Sequence, residues 1–321
     1  MLLEVKELKT YYFTEGDVVK AVDNVSFSLE RWKVLGIVGE SGCGKSTIAF
    51  SLMRLVNYPG RISGGEAWFD NGEVRKDITK LSEREMKELR GKHISIVFQD
   101  PMTYLNPVMK VGDQVAESIS LHFRIDKHQA LKRTQDILER VGIAAASSVI
   151  TYYPHQLSGG MRQRILISMA ISCEPDLLIA DEPTTALDVT VQAQIIELLK
   201  KLKDDLGVGL LLITHDLGVV ADICDKVCVM YAGEIVEEGA VVDLYNRPLH
   251  PYTQALLGTT LSIEEYRKDI VSIGGNVPSL VHPPLGCRFH PRCPYAFEKC
   301  KQEHPITKNT RGRHVACWLH Q

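Results

Sequence analysis

The chain lacks any apolar run long enough to cross a bilayer. Its longest runs, such as "VGLLLIT" at 208–214, fall far short of the roughly 18 residues that a spanning helix needs. It lacks a secretory leader pattern: the N-terminus "MLLEVKELKT" mixes acidic and basic residues and has no apolar core. It lacks an excess of basic charge. The 37 Lys and Arg stand against 40 Asp and Glu, for a net charge of -3, so electrostatics gives no reason to expect nucleic acid as a partner. It also lacks internal repeats and long low-complexity segments. Together these absences lead to the expectation of a cytosolic chain whose role at a membrane runs through a partner.

What is present is ordinary in bulk and unusual in distribution. The 321 residues allow two domains. The 45% apolar and 24% charged content is that of a soluble globular protein. Eight cysteines in a reducing compartment are not a disulfide framework. Cys43, Cys173, Cys224 and Cys228 are scattered in apolar or small-residue contexts and read as small buried side chains. The other four crowd between 287 and 317.

Residues 2–30 read as alternating strands with a turn at "TEGD", and "GGEAWFDNGEV" (64–74) reads as a hairpin turning at Asn71-Gly72. "KVLGIVG", "HISIVFQD", "DLLIADEP" and "VGLLLITHD" read as buried strands. Between them, apolar residues at three- and four-residue spacing mark helices, most densely from about 103 to 172. Alternating strands and helices imply an α/β fold with a parallel, helix-covered sheet and a helical insertion. After about 245 the periodicity disappears, and six of the fourteen prolines fall between 278 and 305.

"GESGCGKST" (39–47) fits G-x-x-x-x-G-K-[ST] between a buried strand and a helix, the context that a phosphate-binding loop requires. Gly39, Gly42 and Gly44 let backbone N–H groups turn inward around phosphate oxygens, and Ser41 and Thr47 complete the cradle. Lys45 supplies a cation for the β- and γ-phosphates, and the Ser46 hydroxyl suits Mg²⁺. "LLIADEP" ends an apolar strand in two carboxylates facing the ligand crevice. Asp181 suits Mg²⁺, and Glu182 suits a general base for an attacking water. "QLSGGMRQR" offers the Ser158 hydroxyl and the backbone of Gly159 and Gly160 to an anion at a helix start; the same residues also make an ordinary linker turn. Two phosphate-binding devices with a single lysine-bearing loop fit a nucleotide gripped between two chains.

These stretches, with Gln99 of "VFQD" and His215 of "LLITHD", resemble the ordered motifs of ATP-binding cassette (ABC) ATPases over roughly residues 2–245. The signature departs from the commonest LSGGQ at Met161. The resemblance implies a P-loop NTPase core over 1–245 whose signature caps the ATP held by a second ATPase subunit, identical or paralogous. It implies that Gln99 senses the γ-phosphate or Mg²⁺ and couples to membrane subunits. It implies that His215 contacts the γ-phosphate, that Asp188 lies at the dimer interface, and that Tyr12 stacks on adenine, with Tyr11 as its rival.

The end of the chain narrows the resemblance. "NRPLHPYTQALL", "GNVPSL", "GCRFHPRCPYA" and "HVACW" look like the C-terminal extension of dipeptide/oligopeptide importer ATPases. This implies a subunit at the cytoplasmic face of the membrane, under two transmembrane permease subunits fed by an extracytoplasmic peptide-binding protein. Nickel or another small solute is the alternative cargo. A soluble, non-transport ABC ATPase with a metal-binding regulatory tail is the alternative class.

Within the extension, 246–321, the spacing is Cys287-x₅-Cys293-x₆-Cys300-x₁₆-Cys317. Thiolates bind soft metals. Seven basic residues around them, against Glu298 and Glu303, lead to the expectation of lowered thiolate pKa values. Structural zinc sites favour close pairs two to four residues apart, and no C-x₂-C pair occurs. A [4Fe-4S] cluster, which takes four thiolates at variable spacing, is the preferred reading, with Zn²⁺ behind it. Its expected role is to fold a small irregular Cys-rich domain that the ATPase chemistry does not need. Unligated cysteines are the remaining alternative.

Overall fold

Residues with alternating burial open the chain as a hairpin: β1 (Leu3–Phe13) pairs antiparallel with β2 (Val18–Leu29), and Thr14 N–H donates to Asp17 O at 3.0 Å across the turn. With β4 (Gly60–Asp70) and β5 (Arg75–Asp77) they form a four-stranded sheet in the order β2-β1-β4-β5. The computed structural model describes residues 1–185, 187–258 and 274–321. Ala186, inside "PTTALD", and residues 259–273 of the extension lie outside the described residues.

The second sheet has the order β11-β12-β10-β9-β3-β8-β7-β6. Its parallel part comprises β3 (Val34–Val38), β6 (Ile94–Val97), β7 (Leu177–Asp181), β8 (Gly209–Thr214) and β9 (Lys226–Tyr231). Four of these five strands are buried at every position, as expected where both faces of a sheet are covered. β10 (Glu234–Ala240) continues the sheet antiparallel.

The covering helices are α1 (Lys45–Leu52), α2 (Glu83–Leu89), α3 (Pro101–Tyr104), α4 (Val111–Phe123), α5 (Lys127–Arg140), α6 (Ala146–Val149), α7 (Gly159–Ile171), α8 (Val189–Leu206) and α9 (Leu217–Ile223). One core lies between the two sheets and α1, around Val5, Phe27, Ile37, Ile48, Phe69 and Leu211. A second joins α4, α5, α7 and α8 to the other face, around Ile119, Leu138, Ile165 and Leu199.

The extension carries more regular structure than its composition announces. After α10 (Val241–Asn246) come α11 (Pro251–Gly258), α12 (Glu298–Gln302), β11 (Lys308–Thr310) and β12 (Arg313–Val315). β12 pairs with β10 through Glu237↔Val315 and Glu238↔His314. Strands of three residues are too short to display a period; the register of β12 is set by a partner more than 70 residues away, and β11 pairs in turn with β12. Tyr252 and Phe289 share a third core with Val38, Tyr231 and Leu244.

Candidate functional site

The phosphate loop leaves β3 and closes on α1. Only glycine fits at position 44: its φ is +106°, and a Cβ there would lie 1.9 Å from Ala21 O. Lys45, 4% exposed, donates from Nζ to Gly39 O at 2.8 Å and Glu40 O at 3.1 Å. Cys43, within the loop, is fully buried, and burial raises its pKa, as suits an inert packing residue.

β7 delivers the two carboxylates. Asp181, 2% exposed, accepts a hydrogen bond from Ser46 Oγ at 3.0 Å. Burial raises its pKa to about 6, the behaviour of a desolvated carboxylate that a cation would ionise. Glu182 follows in the left-handed region, at φ 45°, a costly conformation for a non-glycine residue and frequent at functional sites. Gln99, beyond β6, donates to Glu182 Oε2 at 3.0 Å, and Thr185 Oγ1 donates to the same oxygen at 2.9 Å. His215 Nδ1, beyond β8, lies 3.4 Å from Glu182 Oε1, and Lys45 Nζ lies 4.0 Å from it. Lys45, Gln99, Glu182 and His215, predicted from separate motifs, therefore meet at the carboxyl edge of the parallel strands. Thr185 is an addition; its only sequence signal is a hydroxyl three residues after the glutamate.

Ser158 caps α7, accepting from Met161 N–H at 3.3 Å, and Asp188 caps α8, accepting from Val191 N–H at 3.0 Å. Among the described residues no hydrogen bond or ion pair joins Ser158, Gly159 or Gly160 to the phosphate loop. Tyr11 donates its hydroxyl to Asp23 at 2.5 Å, whereas the Tyr12 ring lies over Gly60.

In the extension, Cys287, Cys293, Cys300 and Cys317 line one small pocket together with His250, Phe289 and Trp318. Among the described residues no three His, Cys, Asp or Glu side chains are arranged to hold a single metal ion. The expected lowering of thiol pKa values is overturned. Burial pushes Cys287 up to about 12 and Cys317 up to about 11, and raises Cys293. The basic residues do not offset this because the buried ones face elsewhere. Arg288 pairs with Asp23 and, at 2.9 Å, with Glu234; Arg292 pairs with Glu40 at 2.7 Å; Arg313 pairs with Glu237 at 3.4 Å. His250 accepts from Tyr252 N–H at Nδ1, 3.0 Å, while its buried Nε2 has no partner among the described residues.

Residues 22–185 match the family described as ABC transporter, and residues 236–300 match the C-terminal region of oligopeptide/dipeptide transporters. The chain is 48% identical to the oligopeptide transport ATP-binding protein OppD of Salmonella typhimurium over 99% of this chain and 93% of that one. It is 46% identical to the dipeptide transport ATP-binding protein DppD of Haemophilus influenzae over 98% of this chain and 94% of that one. Among solved structures it is similar to the dimeric ATP-binding cassette MJ0796 in a post-hydrolysis state bound to ADP and Pi. That match has a TM-score of 0.66 and 26% identity, over 75% of this chain and 99% of that one.

Proposed function

This chain belongs to the ABC transporter family, in the group that carries the oligopeptide/dipeptide C-terminal region, and from that premise we propose that it powers the uptake of dipeptides or oligopeptides as the ATP-binding subunit of an importer. Its enzymatic activity is ATP hydrolysis. No helix among the described residues is long and apolar enough to cross a membrane. In the proposed assembly two permease subunits supply the path, and this subunit works at its cytoplasmic face. An extracytoplasmic binding protein delivers the peptide.

The observation that carries the reading is the convergence of Lys45, Gln99, Thr185 and His215 on Glu182. In the proposed reaction Lys45 and the backbone of residues 39–47 hold the β- and γ-phosphates. Glu182 orients the attacking water and takes its proton, and His215 steadies the γ-phosphate. Ser46, Asp181 and Gln99 would hold Mg²⁺, which when bound offsets phosphate charge; the paired hydroxyl and buried carboxylate at 3.0 Å fit that cation. Ser158, Gly159, Gly160 and Asp188 act across a dimer on the partner's nucleotide. Tyr12 supports adenine, since Tyr11 is held by Asp23.

The proposed boundary at 245 separates this cassette from an extension that binds a [4Fe-4S] cluster through its four cysteines. Two observations support the cluster. The four thiols line one pocket, and four thiolates are the ligand set that such a cluster takes. The ring of His250, with an orphaned N–H, lines the same pocket, and sulfur would accept that hydrogen. When bound, the cluster supplies a covalent cross-link between distant segments.

Purifying the protein with its permease subunits and measuring ATPase activity tests the transport reading. Stimulation by peptide-loaded binding protein is expected. Stimulation by nickel alone, or co-purification with ribosomes without a permease, contradicts it. Iron and acid-labile sulfide assays on anaerobically purified protein test the cluster; one zinc per chain without sulfide removes it.

A further inference from the structure

Glu40 occupies a variable position of the phosphate loop, and the motif gives no reason for a carboxylate beside a site built for anions. An unpaired carboxylate there would repel ATP. The extension takes it up. Arg292 Nη1 donates to Glu40 Oε2 at 2.7 Å and Nη2 to Oε1 at 3.0 Å, a fork-on-fork pair. The Arg292 side chain is 5% exposed and that of Glu40 25%. The backbone N–H of Glu40 donates to Tyr252 Oη at 2.9 Å. Tyr252 is itself fixed between Tyr231 and Phe289, with ring centroids 4.6 and 5.4 Å away. Arg292 closes the turn His290–Arg292 that runs directly into Cys293.

We propose that Arg292 and Tyr252 are positioning residues for ATP binding: the extension neutralises Glu40 and pins the backbone of the phosphate loop. The proposal rests on the reading that residues 39–47 hold ATP. A pinned loop loses less freedom when the phosphates arrive, and a neutralised Glu40 does not oppose them. The extension therefore contributes to nucleotide affinity without touching nucleotide.

The test measures ATP Kd, KM and kcat on the full-length chain. Arg292→Met leaves a bare carboxylate in the loop, and Kd and KM rise about tenfold while kcat stays within about twofold, the scale of a lost charged hydrogen bond. Adding Glu40→Gln to Arg292→Met recovers part of that loss, because the offending charge is gone; a merely structural role would not give this rescue. Arg292→Lys keeps the charge without the fork and falls between. Tyr252→Phe keeps the ring packing, removes only the acceptor of the Glu40 N–H, and raises Kd several-fold; it decides the matter if Arg292→Met unfolds the extension. Kd within twofold of the unsubstituted protein in both Arg292→Met and Tyr252→Phe, or no rescue by Glu40→Gln, overturns the proposal. Failure of the unsubstituted protein to bind ATP overturns the underlying reading instead.

Discussion

The cassette and the extension are ordered by different physics. In the cassette, strands such as Leu177–Asp181 are buried along their whole length and place their last residues at a common edge. In the extension the helices and strands among the described residues from Pro251 onward are short, and ion pairs fasten them to the cassette: Arg288 to Asp23 and Glu234, Arg292 to Glu40, Arg313 to Glu237. A segment with little periodicity thus takes its order from carboxylates of its neighbour. One of those carboxylates, Glu40, belongs to the loop proposed to bind phosphate, so the two regions are joined there.

The largest expected effect isolates the cassette. Glu182→Gln should leave ATP binding intact and lower turnover about 10²- to 10⁴-fold, as for loss of a general base. Phosphate release at saturating ATP reads it, and near-normal turnover would remove Glu182 from the role. The next isolates the extension. Arg313→Met leaves Glu237, fully buried, without its cation. The loss should be about 3–5 kcal/mol, the usual result of breaking a buried pair. Denaturation followed through Trp318, with proteolysis mapping of 274–321, checks it; a loss under about 1 kcal/mol would show that the pair does not hold the tail.

Cys293→Ser probes the joint between the regions. It should loosen the turn that ends in Arg292 and raise the Kd for ATP up to about tenfold, the size expected for the Arg292–Glu40 pair. Saturating turnover should be largely retained. Unchanged affinity would restore the simpler picture of an extension that the ATPase ignores. The smallest effect is one of pH. A hydrogen bond to Glu234, at 2.8 Å, holds the His304 pKa above its ordinary 6.5. Because the folded value is raised, this contribution is fully present below pH 6.5 and lost as pH rises through the folded value. The exposed position of His304 keeps it small. Extension stability that rises from pH 6.5 to 8, or a His304→Gln variant with the same pH profile, would count against it.

The convergence of residues on Glu182 was legible because each motif is contiguous and sits at a strand end. Lys45, Gln99, Glu182 and His215 could be named separately, and the parallel sheet brings them together. Thr185 was missed because a lone hydroxyl after a glutamate carries no pattern. The extension was legible in its cysteines but not in its strands: three-residue β12 is defined by pairing with β10, and three-residue β11 by pairing with β12. The basic residues misled for the same reason. Their partners lie far away in sequence, 252 residues in the case of Arg292 and Glu40, so a local charge count assigned them to the thiols.

Amide hydrogen exchange with and without MgATP tests the joining of the two regions most directly. If the extension holds the phosphate loop, linkage requires that nucleotide also hold the extension. The account predicts slower exchange on adding nucleotide in residues 39–47 and, with them, in residues 250–256 and 287–293. Protection confined to the phosphate loop, with the extension unchanged, would contradict it.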